Sequence, residues 1–237
     1  MTVPSRFDCF VTGTDTGVGK THASATLLHA LHAKGLSTVG MKPIASGCEW
    51  RDGAWQNDDV VQLRAASSVD VPASQTCPWL LRTPCSPHLA AAREGLRITR
   101  APVRTAFDAL RQQAEAVVVE GVGGFHVPLD TGAVRWSTGD LAAMLALPVV
   151  MVVGIRLGCL NHALLTAQAI RARGLTLAGW IANRIDPDML LADENVATLH
   201  DWLDAPCLGD LPWQLDPASA ARHLDLAPLL DAAPMAA

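Results

Sequence analysis

The sequence lacks the residue spacings that hold zinc. Its six cysteines include no CxxC pair, and none of them stands beside a pair of histidines. Structural and catalytic zinc sites are built from such spacings, and disulfides do not persist in a reducing compartment. We therefore expect neither a zinc site nor a disulfide framework.

Positive charge is also scarce. The chain has 18 Lys and Arg residues against 23 Asp and Glu residues, a net charge of -5. This balance argues against a broad surface for nucleic acid or anionic lipid. No stretch reaches the about 18 apolar residues of a spanning helix, and no basic head precedes an apolar run at the N-terminus. We expect a cytoplasmic protein with neither nucleic-acid nor membrane partners.

The sequence does contain a large apolar fraction in an α/β pattern. Half of its 237 residues are apolar, enough to bury the core of one domain spanning residues 1–237. Predicted strands and helices alternate, and residues 67–87, rich in Pro, Ser and Thr, are predicted to be a loop. Runs such as AVVVE and PVVMVVG indicate strands covered on both faces. We predict an α/β fold with a doubly wound, mostly parallel sheet that binds ligands at its carboxyl edge.

The stretch VTGTDTGVGKT, which ends at Thr21, predicts a phosphate-binding loop between a strand and a helix. It departs from the pattern GxxxxGK[ST], because Thr14 takes the place of the first glycine. The parts on which the chemistry depends are present. Gly17 and Gly19 let the backbone approach a phosphate, Lys20 supplies a positive charge, and the Thr21 hydroxyl can bind Mg²⁺. An ATP-type nucleotide is therefore favoured over an ordinary strand-turn-helix corner.

Charged residues at other predicted strand ends could complete such a site. Glu120 and Lys42 each end a strand, and Ser46 follows Lys42 by four residues. Because parallel strands share one carboxyl edge, Glu120 is a candidate Mg²⁺ ligand and Lys42 a second cation for a transferring phosphate. Asp58 and Asp59 could bind metal or only cap a helix. The segment GVGGF does not fit GxGxxG, which argues against a dinucleotide site.

Together these stretches resemble the dethiobiotin synthetase family, ATP-dependent ligases of biotin biosynthesis with a P-loop NTPase fold. The resemblance covers nearly the whole chain, and threonine at the first glycine position belongs to the family pattern. The matching blocks are GTDTGVGKT (13–21), GMKPIASG (40–47), NDD (57–59), SPH (86–88), VEGVGG (119–124), LGCLNHALLTAQ (157–168), AGWIAN (178–183) and GDLPW (209–213).

The resemblance implies a reaction with ATP, Mg²⁺, CO₂ and 7,8-diaminononanoate. One amine captures CO₂ as a carbamate, ATP phosphorylates the carbamate, and the second amine closes the cyclic urea. The protein must mainly align a carbamate and a triphosphate and neutralise their charge. Family members are homodimers in which a segment of one copy reaches the substrate carboxylate in the other.

Site residues follow from the resemblance one by one. Thr21, Asp59 and Glu120 are implied as Mg²⁺ ligands, and Lys42 and Lys20 as the catalytic lysines. The residues implied to bind ATP are Gly17, Val18, Gly19, Lys20, Thr21, His22, Asp59, Glu120, Gly121, Val122, Gly123, Asn183, Arg184, Leu211, Pro212 and Trp213. Those implied to contact the substrate are Thr16, Ser46 and, from the partner copy, Gly158, Cys159, Leu160 and Asn161. Arg184 departs from the acid that relatives often carry, which leaves the base preference open.

Other functions fit the sequence less well. An ATPase switch of the partitioning or septum-positioning kind usually carries an extra early lysine and a basic or amphipathic anchor, whereas positions 14 and 15 are Thr and Asp here. An amide synthase of cobalamin assembly would need an additional glutaminase domain. A nucleotide-binding module without enzymatic activity would not need Lys42 and Ser46 near the phosphate loop.

Overall fold

A computed structural model describes residues 6–130, 132 and 135–231 of the chain. The strands are β1 (Phe7–Gly13), β2 (Thr38–Met41), β3 (Ile44–Ser46), β4 (Glu49–Arg51), β5 (Ala54–Gln56), β6 (Trp79–Leu81), β7 (Ala116–Gly124), β8 (Pro128–Asp130), β9 (Trp136–Ser137), β10 (Val149–Ile155), β11 (Leu177–Arg184) and β12 (Cys207–Leu211). The helices are α1 (Lys20–Ala33), α2 (Asp58–Ala66), α3 (Ala73–Thr76), α4 (Pro87–Arg93), α5 (Arg100–Leu110), α6 (Thr138–Leu145), α7 (Cys159–Ala172), α8 (Ala192–Trp202), α9 (Pro217–Ala220) and α10 (Ala227–Leu230), with a 3₁₀ turn at Ala221–His223.

Six strands form one sheet in the order β2-β7-β1-β10-β11-β12. Every neighbouring pair in this sheet is parallel. Antiparallel pairing occurs in the small hairpins β4-β5 and β8-β9. The predicted fold class, a doubly wound and mostly parallel α/β sheet, is confirmed.

Both faces of the sheet are buried, which explains the unbroken apolar runs. Successive residues of a strand point to opposite faces. Cys9 and Val11 of β1 belong to an apolar cluster with Leu27 of α1, whereas Phe10 between them belongs to a second cluster with Phe107 of α5. Every residue of β1 is therefore buried.

The strand order places a crevice at the carboxyl end of β1. After β1 the chain crosses to β2, and β7 is later inserted between the two, while β10, β11 and β12 extend the sheet on the other side. Ligands of open α/β sheets bind where the strand order reverses in this way. The loops after β1, β2 and β7 therefore meet at one place.

Some short elements escaped the sequence-based prediction. Residues 67–87, predicted as a loop, contain α3 and β6, and β6 pairs with β3. The β4-β5 hairpin, whose Trp50 and Trp55 rings pack edge to face at 5.5 Å, was not predicted either. Strands of three residues are too short to show an apolar period. Within the described residues, no helix is both long enough and apolar enough to cross a membrane.

Candidate active site

The phosphate loop joins β1 to α1 and turns on two glycines. Gly17 and Gly19 have φ values of 75° and 81°, a left-handed backbone that strains residues with a side chain. A Cβ atom on Gly19 would also lie 2.0 Å from Nδ2 of Asn183. Thr14 does not have a positive φ, so the loop does not require glycine at that position.

The first turn of α1 is open to an anion. Its N-cap, Gly19, has no side chain to accept a hydrogen bond from the first turn, and that turn contains no acid. The first N–H groups of a helix lack partners within the helix, and the helix dipole adds positive potential there. Such an N-terminus binds phosphate.

Lys20, the first residue of α1, folds back over the loop. Its Nζ donates a hydrogen bond to the carbonyl oxygen of Asp15 at 3.0 Å. Burial, together with the nearby charge of Lys42, lowers the pKa of Lys20 from 10.5 to about 8. The structure thus brings the two lysines together at one edge of the sheet.

Three oxygen ligands converge beside Lys20. The Oγ1 atom of Thr21 lies 2.8 Å from Oδ1 of Asp59 and 2.9 Å from Oε1 of Glu120. A hydroxyl has one proton, so it cannot donate to both carboxylates at once. Glu120 is fully buried, and its Oε2 atom has no hydrogen-bond partner among the described residues. Two carboxylates and a hydroxyl arranged in this way fit Mg²⁺, which prefers oxygen ligands.

This set of oxygens contains two carboxylates and one hydroxyl. Within the described part of the chain, no three His, Cys, Asp or Glu side chains are grouped as a metal site. Mg²⁺ at nucleotide sites takes one or two carboxylates and completes its shell with phosphate oxygens and water. The set of Thr21, Asp59 and Glu120 therefore suits an ion that is bound together with a nucleotide.

Lys42 lies between the two carboxylates. Its Nζ contacts Oε1 of Glu120, lies 2.8 Å from Oδ2 of Asp59 and donates to the carbonyl oxygen of Gly121 at 3.3 Å. Burial favours a lower pKa for Lys42, but Glu120 and Asp59 outweigh it and raise that pKa. Burial likewise favours a higher pKa for Asp59, but Lys42 and Thr21 outweigh it and lower that pKa. Lys42 is therefore a cation at neutral pH.

These groups line a cleft of about 730 Å³. The predicted site residues that line it are Thr16, Gly17, Gly19, Lys20, Thr21, His22, Lys42, Ser46, Asp59, Glu120, Val122 and Gly123. Residues that line it without having been predicted are Ala45, Gln62, Pro84, Cys85, Ser86, Pro87 and Val127. The SPH block was the available signal for Ser86 and Pro87, but no role was assigned to it.

Val18, Gly121 and Asn183, all predicted to bind the nucleotide, are buried and absent from the cleft lining. The side chain of Val18 is buried, and its carbonyl oxygen accepts a hydrogen bond from Nδ2 of Asn183 at 2.9 Å. Gly121 contributes the carbonyl oxygen that accepts from Lys42. Any contact of Val18 with a nucleotide would have to be made by its backbone.

The segment after β12 reaches the phosphate loop as well. Nε2 of His22 lies 2.6 Å from the carbonyl oxygen of Leu215, a contact between residues 193 positions apart. The side chain of Leu211 is buried in the core, whereas Trp213 is 45 % exposed. Of the predicted base-flanking residues, Pro212 and Trp213 therefore have side chains available to a ligand, and Leu211 does not.

Arg184, which the resemblance predicts to bind ATP, pairs with two carboxylates in the structure. Its Nε and Nη2 atoms donate to Oδ1 and Oδ2 of Asp210 at 2.9 and 2.6 Å, and Nη2 also pairs with Asp193 at 2.5 Å. These contacts, led by the hydrogen bonds to Asp210, raise the pKa of Arg184. The guanidinium of β11 thus pairs with carboxylates of β12 and α8, and Arg184 does not line the cleft.

The predicted substrate segment at the start of α7 lies outside the cleft. Its residues Gly158, Cys159, Leu160 and Asn161 are absent from the cleft lining, and the Cys159 side chain is buried. Like α1, α7 begins at a glycine without a side-chain cap and without an acid in its first turn. The preceding Arg156 pairs with Asp15 of the phosphate loop at 2.7 Å, a link that the sequence did not predict.

The chain is similar in sequence to proteins of a known family. The family model described as "AAA domain" matches residues 8–220. The ATP-dependent dethiobiotin synthetase BioD of Ralstonia nicotianae is 57% identical over 230 residues, covering 96% of this chain and 99% of that protein. The corresponding protein of Aromatoleum aromaticum is 55% identical over 228 residues, covering 95% of this chain and 99% of the relative.

A solved structure shows the same fold. The septum site-determining protein MinD of Pyrococcus horikoshii, complexed with Mg-ADP, aligns with a TM-score of 0.50 over 96% of this chain and 90% of its own. Its sequence is 15% identical, so this likeness concerns the fold alone.

Proposed function

The chain belongs to the dethiobiotin synthetase family, and on that premise we propose that it converts 7,8-diaminononanoate, CO₂ and ATP into dethiobiotin, ADP and phosphate. The observation that carries the proposal is the position of Lys42. It lies between two carboxylates and beside a phosphate loop. A protein that only bound ATP would not need a second buried lysine at that position.

The proposed reaction places few covalent demands on the protein. One substrate amine adds to CO₂ and forms a carbamate. A carbamate oxygen then attacks the γ-phosphorus of ATP, ADP leaves, and the second amine displaces phosphate from the mixed anhydride to close the ring. Because the carbamate and the triphosphate repel each other, the main requirements are alignment and cationic groups.

Lys20 and the first turn of α1 would bind the triphosphate. The open N–H groups of α1 face the crevice with the positive end of the helix dipole, and Lys20 adds a full charge. Lys42, whose pKa is raised by Glu120 and Asp59, would remain protonated. It would thus act as a fixed cation for the carbamate and the transferring phosphoryl group.

Thr21, Asp59 and Glu120 would hold Mg²⁺. Their three converging oxygens and the unpartnered Oε2 of Glu120 support this assignment. When bound, the ion would neutralise phosphate charge and orient the group that is transferred. The chain's own contribution is the pair of carboxylates, and at Asp59 the effect of Lys42 outweighs that of burial and lowers the pKa of the carboxyl group.

The diamine substrate would lie beside the γ-phosphate, on the side of the cleft lined by Thr16 and Ser46. Thr16 and Ser46 line the cleft with their hydroxyl side chains and would bind polar groups of the diamine. Gly158, Cys159, Leu160 and Asn161 lie outside the cleft of their own chain and begin an uncapped helix. We propose that they bind the substrate carboxylate in the second copy of a homodimer.

The nucleoside would lie toward β11 and β12. Asn183 is buried beside Gly19, and the contact of His22 with Leu215 brings the 211–215 segment to the loop. The base would lie between this segment and Asn183, with Pro212 and Trp213 beside it. The alternative of an ATPase switch on DNA or membrane is not favoured, because the relatives at 57% and 55% identity are synthetases.

A product assay tests the proposal. The purified chain is incubated with ATP, Mg²⁺, bicarbonate and 7,8-diaminononanoate, and cyclic urea and ADP are measured by mass spectrometry and chromatography. We expect equal amounts of the two products, and no cyclic urea from a monoamine analogue that lacks the second nucleophile. ADP release at the same rate with and without the diamine would show that the chain is not this synthetase.

A further inference from the structure

We propose that Asn57 is a positioning residue that fixes the distance between the metal-binding and substrate-binding sides of the cleft. Its side-chain amide bonds at one end to the first turn of α2, which carries Asp59. At the other end it bonds to the end of β3, which carries Ser46. This inference rests on the proposed function, because that function gives Asp59 and Ser46 their roles.

The oxygen end of Asn57 caps α2. Its Oδ1 atom accepts hydrogen bonds from the backbone N–H groups of Asp59 at 3.1 Å and of Val60 at 3.4 Å. Its backbone is extended, with φ of -122° and ψ of 135°, as an N-cap residue requires. The cap therefore holds the backbone of Asp59 directly.

The nitrogen end of Asn57 bonds to the substrate side. Its Nδ2 atom donates to the carbonyl oxygens of Ser46 at 3.2 Å and of Gly47 at 3.3 Å. Asn57 is only 9% exposed, so water does not readily replace these bonds. One planar amide therefore joins the first turn of α2 to two carbonyl oxygens that lie 11 and 10 residues before Asn57 in the chain.

The stretch of chain that connects β3 to α2 does little to fix the distance between them. Between Gly47 and Asn57 the chain forms the β4-β5 hairpin, whose strands have three residues each and whose Trp50 is 61 % exposed. β3 itself pairs over three residues with β6. The Asn57 amide is thus a short, buried polar link across this hairpin, next to the apolar cluster of Ala45, Val60 and Cys77.

The consequence for the site follows through Asp59. Its carboxylate contacts Thr21 and Lys42, and its backbone N–H is held by the same side chain that holds the Ser46 carbonyl. A shift of α2 away from β3 would move the Asp59 carboxylate relative to the Ser46 hydroxyl. Outer residues that orient metal ligands commonly change metal affinity or activity by 10–100-fold when replaced.

Replacing Asn57 with serine separates its capping of α2 from its bonds to the carbonyl oxygens of Ser46 and Gly47. Ser is about as good an N-cap as Asn, but its hydroxyl cannot accept from α2 and also reach both carbonyl oxygens. The variants are Asn57→Ser and Asn57→Ala, with Asn57→Thr as a second capping replacement if the serine variant does not fold. Ser137→Ala is the matched control, because Ser137 caps α6 through a comparable side-chain bond and does not line the cleft.

Three measurements distinguish the roles: the thermal unfolding temperature, the affinity for ADP with and without Mg²⁺ by calorimetry, and the KM and kcat for the diamine. We expect Asn57→Ala and Ser137→Ala to lower the unfolding temperature, and Asn57→Ser to recover most of that loss. We expect both Asn57 variants to need roughly 10-fold more Mg²⁺ to strengthen ADP binding and to raise the KM for the diamine. ADP affinity without Mg²⁺ should change less than twofold.

The outcomes are separable from those of the proposed function. If Asn57→Ser recovers both the unfolding temperature and the Mg²⁺ and diamine responses, Asn57 is only a helix cap and the inference is wrong. If Ser137→Ala produces the same binding losses, they reflect general destabilisation, and the inference is equally wrong. If the unmodified chain binds Mg²⁺ and ADP but forms no cyclic urea, the proposed function fails instead.

Discussion

Helices α1 and α2 begin at the same edge of the sheet, yet their first turns are built for opposite charges. α1 starts at Gly19 with no side-chain cap and no acid in its first turn. α2 starts at Asn57, which caps it, and places Asp58 and Asp59 in its first turn. The two turns meet where Thr21 lies 2.8 Å from Asp59.

The difference shows that the N-cap residue and the acids of the first turn together determine which charge a helix N-terminus binds. Open N–H groups and the helix dipole attract an anion. A side-chain cap removes those donors, and carboxylates placed beside them create a negative site instead. A triphosphate with its Mg²⁺ needs both kinds of surface side by side, and the cleft supplies one from each helix.

Lys42 belongs to neither helix, and its replacement should have the largest effect. We expect Lys42→Ala to lower kcat by roughly 100–1000-fold, as the loss of one preorganised electrostatic group does. Affinity for Mg²⁺ and ADP should stay within a few-fold. Because Glu120 is fully buried, the variant should also be less stable by roughly 3–5 kcal/mol, the usual result of removing one partner of a buried ion pair.

The measurements for this variant are single-turnover kinetics, calorimetry with ADP and chemical denaturation. Lys34→Ala is the matched control, since Lys34 is exposed at the end of α1 and should change none of these values. A selective loss of nucleotide affinity at normal kcat would instead assign Lys42 to nucleotide binding.

The two acids of α2 give a more specific test. Asp59 contacts Thr21 and Lys42, whereas Asp58 is 70 % exposed and pairs with Arg51. We expect Asp59→Asn to raise the Mg²⁺ concentration needed for tight ADP binding by roughly 10–100-fold. Asp58→Asn should change it by less than roughly twofold, because Asp58 does not line the cleft and its ion pair with Arg51 is exposed. Calorimetric titration of ADP at several Mg²⁺ concentrations measures both, and the reverse order of effects would exchange the two roles.

The anion-binding turn of α1 should respond to pH, with the smallest effect of the three. Burial lowers the pKa of Lys20 to about 8 from 10.5, so Lys20 loses its charge as pH rises through 8. We expect ATP affinity to fall by about tenfold between pH 7 and pH 9. Binding near pH 8 should take up protons, because a triphosphate favours the charged lysine.

The same shift predicts a change in stability of the opposite sign. Between about pH 8 and 10.5 the unfolded chain holds the Lys20 proton and the folded chain does not, so the contribution of Lys20 to the free energy of unfolding increases with pH. Calorimetry in buffers of different ionisation enthalpy tests the proton uptake, and Lys20→Arg should abolish the pH dependence. Equal ATP affinity at pH 7 and pH 9 would contradict the lowered pKa.

Much of the site could be predicted where the signal is local. The strand before the phosphate loop, the loop itself and α1 follow one another between Phe7 and Ala33, and their glycines, lysine and threonine have a recognisable spacing. The prediction that Asp59 binds metal depended on the family resemblance, since the residues alone left a helix cap equally open. The structure places its carboxylate against Thr21, and this contact supports the metal role.

Contacts between distant segments could not be predicted in the same way. The bond from Arg156 to Asp15 joins positions 141 apart, and the contact of His22 with Leu215 joins positions 193 apart. Such pairs follow no sequence period and no motif. Nothing in the sequence near Arg156 or His22 distinguishes it from a side chain exposed to solvent. They exist only because packing of the apolar faces brings those loops together.

The sequence by itself determined the local chemistry of this protein: buried strands, a loop shaped by glycine and lysine, and polar groups at strand ends. Only the tertiary structure decided which of those ends would meet. Because β7 inserts between β1 and β2, Glu120 comes to lie between Thr21, which follows β1, and Lys42, which follows β2. Strand order depends on how helices cover both faces of the sheet, and residues near each other in sequence do not encode it.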